Sequence, residues 1–346
     1  MRALKITSNS KRYQAMIGTG GIGSGMFFRL NGDHTLGREE SRSGYFLDRK
    51  DYCKLHIISY YVKALLGADF EVILLGKVGD DTFGNKLLND LRDIGFSMDY
   101  IESSPKSQTL FSYCFIYPDG SGGNLTTCDS ACSKVSPEFI RKSEKEFAKH
   151  AGNGIALAAP EVPLAAREEI LELGTKYNFY TAASFTSEEL PTVSPDIFKN
   201  INLLAVNLDE AAALVGKRSD ENDTRQIIDT AVKMLTEINP TINISITNGK
   251  KGSWIWDGNS LTHLPVYNVN VVNTAGAGDA HLSGLLVGLT AGLSLKEAHQ
   301  LANLVSGCSV ESEHTINTDI TRDVLRELDD KNGNKVSENI HNLLED

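Results

Sequence analysis

The chain has 346 residues, a formal net charge of −11, and 41% hydrophobic against 23% charged residues, an ordinary globular balance able to bury one large core. The acidic balance excludes a general nucleic-acid surface, which needs excess Lys and Arg to neutralise phosphates, but not a small anion held at a helix N-terminus. The scattered thiols Cys53, Cys114, Cys128, Cys132 and Cys308 form no disulfide framework and no paired metal motif, Met1–Gln14 lacks a signal-peptide core, and no apolar run approaches bilayer length, so a soluble cytoplasmic protein without a membrane partner is expected.

A first strand is predicted at Tyr13–Ile17, running into the glycine-rich turn Gly18–Gly25. Phe27–Asp51 is short-patterned and broken by glycines, which favours strands and turns over helix. Cys53–Leu66 carries Leu55, Ile58, Val62, Leu65 and Leu66 at helical spacing, with Gly67 as the stop. Glu71–Leu75 reads as a strand, and Asp81–Ile94 as an amphipathic helix ended by Gly95. Thr109–Tyr117 and Asn124–Cys128 read as strands joined by a turn at Pro118–Asp119–Gly120.

The rhythm then alternates. Helices are predicted at Ser136–Lys149, Pro163–Tyr177, Asp209–Val215, Thr224–Asn239, Ala280–Ala291, Leu295–Cys308 and Ile320–Leu328. Strands fall at Ile155–Ala158, Phe179–Ala182, Leu203–Val206 and Ile242–Thr247, with short ones near Trp254–Trp256 and Leu261–Pro265. Ser219–Thr224 and Asp329–Lys335 read as polar surface loops. This alternation implies an α/β fold with a mostly parallel sheet covered on both faces. A single domain over 1–346 is expected, with a small β lid drawn from about 27–51 and 109–128.

The strongest chemical signal is Asn273-Thr274-Ala275-Gly276-Ala277-Gly278-Asp279, followed by an apolar helix. Small residues let the backbone turn tightly, so successive N–H groups converge at a helix N-terminus carrying partial positive charge, a place for phosphate. A carboxylate at its mouth accepts the proton of an attacking hydroxyl. A plain helix cap is the competing reading of the same residues.

Other pieces follow in a fixed order: Val78–Gly84, Asn207-Leu208-Asp209-Glu210, Thr247-Asn248-Gly249-Lys250-Lys251-Gly252 and Ala302-Asn303. Together with Asn273–Asp279, they resemble the motifs of the ribokinase-like (PfkB) carbohydrate kinases over about Tyr13–Asp319. The resemblance implies the ribokinase-like fold, ATP and Mg²⁺, a small sugar-like acceptor and pairing of two copies through their lids. It implies Asp279 as catalytic base and the amides of Gly276, Ala277 and Gly278 as anion hole. Asn207 would touch ATP phosphates and Glu210 would organise Mg²⁺ through water. Thr247, Gly249 and Gly252 would line the nucleotide site, with Asn303 beside the adenine and Glu161 on the acceptor.

The acceptor side departs from that family. No acid stands between Gly18 and Asp33, leaving Asp33 as the nearest candidate for the family's acceptor-binding Asp, although a turn Asp after Gly32 explains it equally. Paired glycines expected to open the first long helix are replaced by the charged run Asp48–Lys54. Either this run is a solvated turn, or Arg49 or Lys54 faces an acceptor bearing a carboxylate or phosphate. Asn273 in place of the signature's first Asp weakens the case for a monovalent cation. Sugars, sugar acids, sugar phosphates and nucleosides all remain open as acceptors.

Two other classes compete. Gly18-Thr19-Gly20-Gly21-Ile22-Gly23 matches a dinucleotide-binding fingerprint, which would make the chain an NAD-dependent dehydrogenase; that reading requires a helix immediately afterwards. A non-catalytic relative that binds a small molecule is the other.

Overall fold

The computed structural model describes residues 2–118, 122–219 and 223–345, with Asp48 described by its backbone alone. A nine-stranded sheet forms the body. Its parallel strands are β1 (Ala15–Thr19), β4 (Glu71–Gly79), β5 (Ile101–Ser104), β8 (Gly154–Ala158), β9 (Tyr180–Ser184), β10 (Leu203–Asn207) and β11 (Asn243–Thr247), and the antiparallel edge is β12 (Ser253–Trp256) and β13 (Leu261–Leu264). The strand order is β13-β12-β11-β10-β9-β8-β1-β4-β5.

Successive residues of a strand point to opposite faces, and here both faces are apolar. Met16, Val72 and Leu74 enter one core, while Ile17, Ile73 and Leu75 enter the other. The first core is closed by α1 (Lys54–Leu66), α8 (Ala277–Thr290), α9 (Leu295–Ser309), α10 (Arg322–Lys331) and α11 (Glu338–Leu344). The second is closed by α3 (Pro137–Arg141), α4 (Glu144–Lys149), α5 (Leu164–Lys176), α6 (Leu208–Leu214) and α7 (Thr224–Ile238). The remaining helix, α2 (Thr82–Ile94), follows β4.

A second sheet of four strands forms the lid, in the order β3 (Gly44–Tyr52), β2 (Gly23–Leu30), β6 (Leu110–Ile116), β7 (Gly122–Thr126). Asp81 anchors it. One carboxylate oxygen accepts from Gly84 N at 2.8 Å and Thr109 Oγ1 at 2.7 Å, and the other from Thr109 N at 2.7 Å. The cap of α2 and the root of β6 are thus fixed by one side chain.

Several sequence expectations need correction. Ser136–Lys149 is two short helices, not one, because the chain turns at Lys142–Ser143. The strand Ile101–Ser104 and the helix Glu338–Leu344 were not expected. Asp329–Lys335 is not a solvated loop throughout: Asp329 is fully buried, accepting from Tyr267 Oη and Lys335 N, each at 2.9 Å. The turn at Pro118–Asp119–Gly120 and the loop Ser219–Thr224 lie partly outside the described residues. The dehydrogenase reading fails at its requirement for a helix: after β1 the chain passes straight into lid strand β2. No helix among the described residues is long and apolar enough to cross a membrane.

Candidate active site

In a parallel sheet, ligands collect beyond the carboxyl ends of the strands. Here those ends are aligned, with Ser184 opposite Ala205 and Asn207 opposite Thr247. Two cavities open there. One, of about 220 Å³, is lined by Ser184, Asn207, Glu210, Ser245, Thr247 and His281. The other, of about 400 Å³, lies between the lid and the body and is lined by Phe27, Asp51, Ser112, Cys114, Asn124 and Glu161, among others. Lys54, Gly276 and Asp279 line both cavities.

The segment Asn273–Asp279 opens α8. Gly276 caps the helix at φ 81°, a left-handed conformation suited to glycine. A Cβ at Gly276 would also lie 2.7 Å from the Thr315 carbonyl, so the loop seals against its neighbour only without a side chain. Ala277 N–H is committed to the Thr274 carbonyl at 3.2 Å, which removes it from the expected anion hole. The amides of Gly276 and Gly278 have no hydrogen-bond partner among the described residues. Two of the three expected donors therefore remain open at a helix N-terminus.

Asp279 stands in the first turn of that helix. Burial raises its carboxyl to about 6; Lys54 pulls the other way, and Glu210 and Asp51 push it further up. The result is a carboxylate that is mostly ionised at neutral pH yet raised toward the range in which a group can take a proton.

Asn207 and Glu210 form a reciprocal cap. Glu210 N donates to Asn207 Oδ1 and Asn207 N to Glu210 Oε2, each at 2.8 Å. The motif is thus a capping box, and Glu210 is a buried first-turn acid, not a surface one. After capping, the side-chain amide of Asn207 remains for a ligand, and Glu210 Oε1 faces Lys54 Nζ at 3.4 Å.

Thr247 lines the 220 Å³ cavity; Gly249, Gly252 and Asn303 do not. The glycines shape the β11–β12 turn, where Asn248 N bonds the Gly252 carbonyl at 2.9 Å. Asn303 Nδ2 is spent on the Pro265 carbonyl at 2.6 Å, which ties α9 to the sheet edge.

Of the residues expected on the acceptor, Glu161 lies in the larger cavity at φ 76°, with its Oε2 buried and unpartnered. Burial raises its carboxyl to about 7, Lys54 and a hydrogen bond to Cys53 opposing, Asp279 and Asp51 reinforcing. A side chain on Gly21 would meet Glu161 Oε2 at 2.3 Å, so the glycines after β1 make room for this carboxylate rather than for a dinucleotide. Asp33 lies exposed beyond the tip of β2 and lines neither cavity. Arg49 faces a separate pocket with Phe46, Phe83 and Asp90. Of the two basic candidates, Lys54 alone reaches the centre.

Sequence reasoning missed Asp51. It is 8% exposed and lines the larger cavity; its Oδ2 accepts from Cys114 Sγ at 3.3 Å. Burial raises it to about 6, against the hydrogen bonds from Cys114 and Tyr52 N. A local signal existed: an acid near the end of a predicted lid strand, immediately before the helix that supplies Lys54.

A parallel sheet with two cavities meeting at a capped helix N-terminus defines a ribokinase-like α/β protein, and solved structures share that architecture. The ribokinase of Giardia lamblia superposes with a TM-score of 0.78 at 17% identity, over 92% of this chain and 99% of that one. The ADP complex of ribokinase from Cryptococcus neoformans var. grubii gives 0.75 at 21% identity, over 92% and 99%. In sequence, the chain is 24% identical to the ribokinase of Schizosaccharomyces pombe, over 70% of this chain and 75% of that protein. It is 24% identical to the deoxyribokinase of Salmonella typhi, over 61% and 66%. The family model for pfkB family carbohydrate kinases matches residues 61–322. The chain belongs to the pfkB family of carbohydrate kinases.

Proposed function

We propose that this chain transfers the γ-phosphoryl group of ATP to a hydroxyl of a small sugar-like acceptor, with Asp279 as base. The supporting observation is that the two cavities share Asp279, Gly276 and Lys54. A group leaving one cavity for the other must pass the ionised carboxylate and the open amides of Gly276 and Gly278. ATP phosphates enter beside Asn207 and Thr247. The acceptor sits under the lid, which excludes water and limits hydrolysis.

Among its described lining residues, the acceptor cavity carries Asp51, Glu161 and Asp279 against the single cation Lys54. That balance opposes the anionic acceptor suggested by the charged run before α1. It favours a neutral polyhydroxyl compound whose O–H groups donate to carboxylates. A screen of neutral sugars, sugar acids, sugar phosphates and nucleosides, followed by ADP formation, tests this. Turnover with neutral sugars is expected, and turnover confined to sugar acids or phosphates would overturn it.

The donor set suits Mg²⁺, because Glu210 Oε1 is an oxygen ligand outside the cap bond and Mg²⁺ keeps several waters. When bound, Mg²⁺ supplies positive charge to the polyphosphate. Asn273 does not suit a monovalent cation. Its Oδ1 accepts from Ala275 N at 3.1 Å and its Nδ2 donates to the Glu313 carbonyl at 3.0 Å, a bond a carboxylate could not make.

Two further features belong to this reading. Met26, Tyr113 and Leu125 stand in register on the lid face turned away from the cavity, at 38, 52 and 65% exposure. An apolar row of this kind supports pairing of two copies through their lids. ATP supply and five free thiols fit a cytoplasmic site.

A further inference from the structure

Phosphoryl transfer concentrates negative charge on the migrating group, and catalysis depends on fixed positive charge where that charge develops. The cavities here are poor in such charge. Glu210 lines one, Asp51 and Glu161 the other, and Asp279 both. Among the described residues of both linings, Lys54 is the only Lys or Arg side chain.

Its position is specific. Lys54 is the first residue of α1, immediately after the cap residue Cys53, so its backbone is held where the lid joins the body. Its side chain is 29% exposed and lines both cavities, together with Gly276 and Asp279. Its ammonium lies 3.4 Å from Glu210 Oε1, on the nucleotide side. An ammonium has three donors, so a single carboxylate contact leaves others for a ligand. Burial opposes its charge, but Asp279, Glu210 and Glu161 outweigh burial and keep Lys54 protonated.

We propose that Lys54 is a catalytic residue that grips the migrating phosphoryl group, opposite the open amides of Gly276 and Gly278, rather than an anchor for an anionic acceptor. The bond between the γ-phosphorus and the bridging oxygen of ATP breaks, leaving ADP. A bond forms between that phosphorus and the acceptor oxygen, whose proton passes to Asp279. Lys54 keeps its proton throughout and donates to the non-bridging oxygens.

This rests on the assignment of the reaction above, and the test separates the two. Lys54→Met and Lys54→Arg are compared with the unaltered protein, with Asp279→Asn as reference, in binding of Mg·ADP and of Mg with the imido analogue of ATP. Lys54→Met is expected to weaken the triphosphate analogue about 10-fold or more while ADP affinity moves by less than about 3-fold, and to lower kcat about 10²-fold with acceptor KM nearly unchanged. Lys54→Arg, which keeps the charge and the pairing with Glu210, should retain most of the preference for triphosphate. Equal loss of both nucleotides, no loss of either, or a raised acceptor KM with kcat preserved would each overturn the role. If Asp279→Asn keeps full turnover while Lys54→Met shows the expected split, the base assignment fails and this one stands.

Discussion

The two cavities that meet at Asp279 are built from different materials. The side assigned to the nucleotide is the rim of a parallel sheet, where Ser184, Asn207 and Thr247 end adjacent strands, Asn207 directly opposite Thr247 and Ser184 opposite Ala205. The side assigned to the acceptor is roofed by lid strands, with Asp51, Ser112, Cys114 and Asn124 lining it from a separate sheet. The first is fixed by the core of the molecule. The second depends on a lid held by contacts such as Asp81 to Thr109 and Tyr52 N to Thr315 Oγ1 at 3.1 Å. On the proposed reading, a donor site built on the core and an acceptor site roofed by a separate sheet let one fold keep its phosphoryl chemistry while the acceptor changes.

If that division holds, substitutions should separate into those that affect chemistry, acceptor affinity or stability. The largest effect is expected at the junction. Asp279→Ala should lower turnover ~10²–10⁴-fold with ATP binding largely retained, as measured by steady-state ADP formation and nucleotide titration. Next is pH. The folded Asp279 is raised to about 6, and only its ionised form acts as base. Activity should therefore be present above that value and fall as pH drops through it, toward about tenfold per unit. A profile flat down to pH 4 would remove Asp279 as the base.

On the lid side, Asp51→Asn and Glu161→Gln should raise acceptor KM about 10-fold or more, consistent with losing a charged hydrogen bond of about 1.5–3 kcal/mol, with ADP affinity unchanged. An equal loss of nucleotide affinity would erase the distinction between the two halves. Gly276→Ala should cost about 1–3 kcal/mol in denaturant unfolding, because its φ of 81° and the nearby Thr315 carbonyl leave no strain-free place for a methyl. The smallest effect is expected for salt: turnover should differ by less than about twofold between potassium and tetramethylammonium chloride at equal ionic strength, as Asn273 spends both side-chain groups on backbone partners.

The same division governs what was legible in the sequence. Parallel strands buried on both faces appear as continuous apolar runs, and turn residues such as Gly276 mark an unusual backbone, so the parallel sheet and several residues at its rim could be anticipated, although the order of its strands was not. Asn207 and Glu210 were also visible, although their spacing encodes a capping box as well as a binding motif. The lid is different. Its register is interrupted where Leu47–Asp51 runs opposite Gly25–Phe27, and the alternation that would put Arg49 and Asp51 on one face fails there, so the sequence did not show that Asp51 faces the cavity and Arg49 does not. Asp33 was nearer in sequence to β1 than Asp51, but it lies past the tip of a strand that carries the chain away from the site. Asp329 failed for a related reason: its partners Tyr267 and Lys335 come from tertiary packing and a local turn that polarity alone does not reveal.

The claim that the cavities form one reaction path through Asp279 is tested most directly by a crystal structure with ADP and the acceptor selected by the screen. The account predicts ADP phosphates beside Asn207 and Thr247, and one acceptor hydroxyl about 2.6–3.2 Å from the Asp279 carboxylate. A nucleotide bound elsewhere, or an acceptor whose hydroxyls all lie beyond reach of that carboxylate, would contradict it.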